Sequence, residues 1–272
     1  MSVSTGAEDA SGAEDAGGAG GAGFTLSTAH WPDVEAGPRR LLVVPVGSLE
    51  QHGAHLPLDT DTRIATAVAN RACAGRTGVG LGPAIAIGAS GEHADFPGTL
   101  SIGSVALSTL LIELGRHASR HWPAMLLVNG HGGNVTAIRD ALERLAGEGR
   151  RCHVWQAGLR PGMLAAEESL VADAHAGRVE TSIMLALAPD DVRLDAAVPG
   201  DTRPLSEIMP ELTARGVRHV SPSGVLGDPA GAGAAEGERL LGLLAADLGQ
   251  TVDRLLGTGD SPGERDARRG RP

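Results

Sequence analysis

Short apolar runs alternate with segments of helical period between residues 40 and 158, and this alternation restricts the fold more than any other feature of the chain. RLLVVPVG (40–47) is apolar, β-branched and closed by glycine, the pattern of a strand buried on both faces. TRIATAVANRACAG (62–75) sets apolar residues at helical spacing and stops at Gly75. Further strands are expected in GVGLGPAIAIG (78–88), AMLLVNG (124–130) and CHVWQAG (152–158). Helices are expected over 104–122, with Ser104 as N-cap, then over 134–149, 179–189 and 237–256. Strands joined through helices pair in parallel, and the crossovers cover both faces. The expected fold is therefore α/β, a three-layer α/β/α sandwich with a mostly parallel central sheet.

The 272 residues, 42% hydrophobic, suffice for one large domain or two small ones. With two Phe, three Trp and no Tyr, the core must come from Leu, Val, Ile and Ala. Residues 1–22 repeat GAEDA and are otherwise mostly Gly, Ala and Ser, too poor in apolar surface to offset ordering, so a disordered tail is expected there. The stretch 258–272 reads as a second flexible tail, leaving 23–257 as one domain. A net charge of -10, with arginine carrying all the positive side-chain charge, argues against nucleic acid and anionic membranes as partners. No apolar run reaches the roughly 18 residues of a membrane span. Cys73 and Cys152 form no CxxC pair and no secretory pattern is visible, so a cytoplasmic protein with reduced thiols is expected.

Ligand-type residues crowd the ends of the first and third expected strands. VGSLEQHGAHLPLDTDT (46–62) holds Glu50, His52, His55, Asp59 and Asp61, and NGHGGN (129–134) holds His131 between glycines. In a parallel sheet, ligands bind where the strands end, so both segments are expected at one site. Mixed nitrogen and oxygen donors suit divalent Zn, Mn or Fe. Taken singly, Glu50 reads equally as a cap for backbone amides, His131 as a buried loop histidine, and Asp59 and His55 as turn or loop residues. GEHADFPGT (91–99) adds Glu92 and His93, the latter a candidate to touch substrate. DAHAGRVETS (173–182) adds His175 as a proton carrier. Glu180 there is either a first-turn carboxylate favoured by the helix dipole or a metal ligand. Arg178 offers a fork for a substrate carboxylate, or a salt bridge to Asp173 or another local acid, and Arg63 is a weaker candidate for the same carboxylate.

EQHGAHLPLDTDT, GEHADFPGT, NGHGGN and HAGRVETS together resemble the creatininase family of metal-dependent amidohydrolases, and PSGVLGDPAGAGAAEGERLL (222–241) is similar to that family's C-terminal motif. The resemblance implies two divalent metal ions per subunit (Zn, Fe or Mn) and a homo-oligomer. It implies Glu50 and His52 as ligands of different ions, Asp61 as the bridging carboxylate, His131 as a ligand beside Glu50, and His175 as the proton donor to the leaving amine. Creatininase has a glutamate two residues after that histidine, where this chain has Gly133. Glu180 is the candidate replacement, and creatinine itself is not the expected substrate. HAGRVETS and LPLDTDTRIA are most similar to the mycofactocin branch. That branch implies a short modified precursor peptide as substrate, cut to release a dipeptide derived from its terminal Val-Tyr. The alternatives are a cyclic-amide or formamide hydrolase of the same family, and a metal-binding scaffold without catalysis.

Overall fold

A computed structural model describes residues 23–160, 163 and 173–257. The two expected tails, 1–22 and 258–272, lie outside the described residues. Five parallel strands form one sheet in the order β1-β3-β2-β4-β5. They are β1 (Phe24–Thr25), β2 (Leu41–Val46), β3 (Val79–Leu81), β4 (Met125–Asn129) and β5 (Cys152–Gln156). The helices are α1 (Trp31–Ala36), α2 (Thr60–Cys73), α3 (Gly103–Ala118), α4 (Val135–Gly147), α5 (Arg178–Leu187), α6 (Leu205–Arg215), α7 (Val217–Val220) and α8 (Ala234–Gly257).

The central strands are buried on both sides, as their unbroken apolar runs require. Along β2, Leu41 and Val43 face one core cluster, while Leu42, Val44 and Val46 face the other. On β4, Leu126 and Val128 oppose Met125 and Leu127 in the same way. The first cluster is completed by Val68 of α2, Ile183 and Met184 of α5, and Leu240, Leu244 and Leu248 of α8. The second is completed by Leu107 and Leu111 of α3 and Ile138 and Leu145 of α4. Helices thus cover both faces of the sheet, giving three layers.

Several boundaries differ from expectation for local reasons. β3 stops at Leu81 because Gly82 and Pro83 follow, and proline has no N–H for a ladder. The chain returns to the sheet only through the Val46–Ile85 bridge. That ending also accommodates Pro45 in a central strand: its carbonyl accepts from Ile85 N beyond the regular β3 ladder. α3 ends at Ala118, and the expected last turn folds back to put Trp122 into the core. β1, α1, α6 and α7 were not expected. β1 is too short to show a period, α1 buries none of its residues, and α6 carries Pro210 inside it and buries only Ile208 and Leu212.

Candidate metal centre

The strand order places a topological switch between β2 and β4. From β2 the chain leaves through α2, on the first core face, toward β3; from β4 it leaves through α4, on the opposite face, toward β5. Diverging crossovers open a crevice at the carboxyl ends of those two neighbouring strands, the usual ligand position in open α/β sheets. Ser48 to His52 leave the end of β2, and His131 leaves the end of β4. Asp61 stands in the first turn of α2, where the helix dipole favours a carboxylate. A 3-10 turn, Gly91–His93, and the approach to α5 at His175 close the sides.

Asp61 is the meeting point. Its Oδ1 lies 3.1 Å from His52 Nε2, and its Oδ2 lies 3.2 Å from His131 Nδ1. Ser48 Oγ donates to the same Oδ2 at 2.7 Å. Glu50 Oε2 approaches His131 Nε2 at 3.1 Å, and Glu50 Oε1 approaches His93 Nε2 at 3.3 Å and His175 Nδ1 at 3.7 Å. On the other side of Asp61, Glu180 Oε2 stands 3.8 Å from His52 Nε2 and accepts the backbone N–H of Ala176 at 2.7 Å. Both readings of Glu180, first-turn carboxylate and potential ligand, are therefore compatible with where it sits. Among the described residues three donor groups are close enough to hold a cation: Glu50–Asp61–His131, His52–His175–Glu180 and Glu50–His93–His175.

Burial opposes charge throughout, and the neighbours decide each outcome. His52 is pushed up to about 10: burial works against the charged ring, but Asp61, then Glu180 and Glu50, outweigh it. His131 is raised in the same way by Glu50 and Asp61. Against its own burial, Asp61 is held well below the carboxylate range by His52 and His131. Burial pushes Glu180 up to about 7. It also lowers His93 and His175, so both rings are neutral near pH 7.

The donors fit divalent cations. Glu50 is fully buried, and neither of its carboxylate oxygens has a hydrogen-bond partner, since the histidine approaches lack hydrogen-bond geometry. An unpaired buried carboxylate is costly unless a cation shares it. The protons held on His52 and His131 supply positive charge where an ion between these oxygens would supply it.

Seven of the nine residues singled out for roles in the sequence come together here: Glu50, His52, Asp61, His93, His131, His175 and Glu180. Arg178 does not join them. Its guanidinium forms a bidentate pair with Glu236, in the first turn of α8, at 2.8 and 3.0 Å, the local-acid pairing weighed against a substrate role. Asp59 pairs with Arg63, which also reaches Asp191, and His55 contacts Thr181 Oγ1 at 2.9 Å.

Sequence reasoning assigned no role to several residues that the site uses. The asparagines of NGHGGN tie three loops together: Asn129 Nδ2 donates to His131 O, Asn134 Nδ2 to Gly47 O, and Asn134 Oδ1 accepts from Ala89 N. Their repetition around the histidine was the available signal. Glu92 Oε1 lies 3.3 Å from His131 Nε2. It reaches there because position 133 is glycine: a Cβ at 133 would sit closer than 3.0 Å to Glu92 Oε1, Ala89 O and His131 Nε2.

Fold and donor set together define a class, a three-layer α/β protein whose buried nitrogen and oxygen donors suit divalent metal. More narrowly, the chain belongs to the creatininase family, since the model of that family, described as creatinine amidohydrolase, matches residues 27–252. It is 49% identical over 220 residues to the mycofactocin precursor peptide peptidase of Mycolicibacterium smegmatis, covering 79% of this chain and 85% of that one. The peptidase of the same name from Mycobacterium tuberculosis is 46% identical over 224 residues, with 79% and 85% covered. Creatinine amidohydrolase of Pseudomonas putida is 34% identical over 200 residues, covering 64% and 75%. A crystal structure of creatinine amidohydrolase superposes with a TM-score of 0.71 at 27% identity, over 88% of this chain and all of that one. A manganese creatininase gives 0.69 at 28% identity, over 85% and 98%.

Proposed function

We propose that this chain is a metal-dependent peptidase acting on the modified mycofactocin precursor peptide, releasing a dipeptide derived from its C-terminal Val-Tyr. The observation that carries this reading is the shared carboxylate of Asp61, with one oxygen toward His52 and the other toward His131, in a chain close to peptidases of that name. Glu50, Asp61 and His131 would hold one divalent ion, and His52, Asp61 and Glu180 the other, with Zn, Mn and Fe all suited to these donors. When bound, such ions lower the pKa of a coordinated water from about 15.7 toward about 7 and polarise a carbonyl.

The chain's own residues do the rest. The carboxyl groups of Glu50 and Asp61, both buried, keep the two donor groups together. Ser48 holds one Asp61 oxygen in place. His175, whose ring centroid lies 4.3 Å from that of His52, would carry a proton to the leaving amine. Burial lowers its pKa, so a proton taken up by the ring is readily given up again. Residues 23–257 would form the single catalytic domain.

A cytoplasmic homo-oligomer fits this reading. Cys73 and Cys152 are unpaired, and no helix among the described residues is long and apolar enough to cross a membrane. Leu100, Ile102, Val105 and Leu110, around the start of α3, expose apolar surface suited to a second copy. The test is incubation with the modified precursor peptide, and separately with creatinine, with and without a chelator, followed by mass spectrometry. Chelator-sensitive release of the Val-Tyr-derived fragment is expected. Turnover of creatinine alone would move the assignment to the cyclic-amide hydrolases, and turnover of neither would favour a scaffold.

A further inference from the structure

Gln51 stands between two candidate ligands, and its buried side chain touches three parts of the site. Oε1 accepts the backbone N–H of Gly53 at 2.9 Å. That bond fixes which end of the amide is oxygen, because a flipped amide would set its NH2 against the N–H. The NH2 group then has two hydrogens and three neighbours: Gly224 O at 3.0 Å, His93 Nδ1 at 2.8 Å and His175 Nε2 at 3.1 Å. The Gly224 carbonyl is only an acceptor and takes one hydrogen. His175 Nε2 lies 2.7 Å from the main-chain carbonyl of Gln51, also only an acceptor. That nitrogen therefore carries a proton and accepts nothing from the amide. The second hydrogen goes to His93 Nδ1, which must be unprotonated.

We propose that Gln51 is a positioning residue that sets the tautomers of two histidines, His93 through its side-chain amide and His175 through its main-chain carbonyl. Neutral His93 then carries its proton on Nε2, the nitrogen 3.3 Å from Glu50 Oε1. A protonated nitrogen does not ligate a cation, so Glu50–His93–His175 is not a metal site. His93 instead backs Glu50, its Nε2–H lying 3.3 Å from Oε1 as an electrostatic rather than a hydrogen-bonded contact. That leaves Glu50–Asp61–His131 and His52–His175–Glu180 as the donor groups open to a cation. His175 keeps its lone pair on Nδ1, the nitrogen facing Glu50 Oε1 at 3.7 Å and free to take up and release a proton; this last consequence alone rests on the catalytic reading above.

Gly224 makes the room this amide needs. Its φ is +83°, and a Cβ there would overlap the carboxamide of Gln51, so glycine is what admits the amide.

Long-range proton–nitrogen correlation spectra of histidine-labelled, zinc-loaded protein test the proposal, with His93→Asn and His175→Asn assigning the signals. Both rings are expected as Nε2–H tautomers in the wild type. Gln51→Leu should release His93 into a tautomer mixture while His175, held by the main chain, stays Nε2–H. Gly224→Ala, which displaces the amide without removing it, should give the same His93 change. A wild-type His93 protonated on Nδ1, or a Gln51→Leu spectrum with His93 unchanged, would overturn it. If Gln51→Leu does not fold, the wild-type spectrum decides alone. Failure of the wild type to take up zinc would count against the proposed function, whereas the tautomers of the metal-free protein would still decide the role of Gln51.

Discussion

Replacing Gly133 with alanine perturbs the loop that carries His131 without removing any ligand. The added Cβ would stand under 3.0 Å from three atoms, and they differ in what they can yield. Glu92 Oε1 is the end of a flexible side chain and can swing away. Ala89 O is backbone, tied through Ala89 N to Asn134, and His131 Nε2 belongs to the ring itself. Overpacking of this kind costs about 1–3 kcal/mol. If the strain falls on the placement of His131, that corresponds to roughly 5- to 150-fold weaker binding of the ion it would share with Glu50 and Asp61, at about 1.4 kcal/mol per tenfold. The assay is competition for zinc against a chromophoric chelator, with thermal unfolding of the metal-free protein in parallel. Glu92→Ala combined with Gly133→Ala should recover only the part due to Glu92, leaving the clash with Ala89 O. Zinc affinity unchanged in Gly133→Ala, with only thermal stability lowered, would refute the claim that this loop fixes His131 for metal.

Four further outcomes follow from the same geometry. Metal must displace the protons of His52 and His131, so affinity should rise with pH near neutrality by about tenfold per unit for each proton released, approaching about a hundredfold for two; chelator competition at several pH values measures it, and a flat profile would contradict it. Linked to this, the stability that protonated His52 gives the metal-free protein is complete below its unfolded pKa of about 6.5 and lost as pH rises toward about 10, a loss that denaturation of the metal-loaded form should not show. His175→Ala should keep its metal yet lose about 10²–10⁴-fold in turnover, and full turnover in a metal-replete variant would remove His175 from the reaction. Because Glu236 occupies the Arg178 fork, amidating the substrate's C-terminus should penalise the wild type and Arg178→Ala equally; a larger penalty in the wild type would mean that Arg178 leaves Glu236 to bind the carboxylate.

The sheet was legible because β2 and β4 are buried on both faces, and such strands leave continuous apolar runs that no surface element produces. The same reasoning placed the segments after β2 and β4 on one edge, which is why Glu50, His52, Asp61 and His131 were found together from spacing and motif. What escaped depends on contacts that sequence does not encode locally. Arg178 and Glu236 are 58 residues apart, and nothing near either one announces the pair. Gln51 reads as an ordinary polar residue until the bonds to Gly53, His93 and Gly224 reveal how its amide is oriented. Glu92 was visible in its loop, but its approach to His131 follows from the missing side chain at position 133, forty-one residues further along the chain. β1, only two residues long, carries no periodic signal at all.

The central claim is that one carboxylate, Asp61, serves two cation positions. Metal content per chain, measured after gentle purification and after reloading with zinc, tests it most directly in the wild type, Glu50→Gln and Asp61→Asn. The wild type is expected to hold two equivalents, Glu50→Gln to lose one, and Asp61→Asn, though it removes a single charge, to lose both. Two equivalents retained by Asp61→Asn would contradict the account.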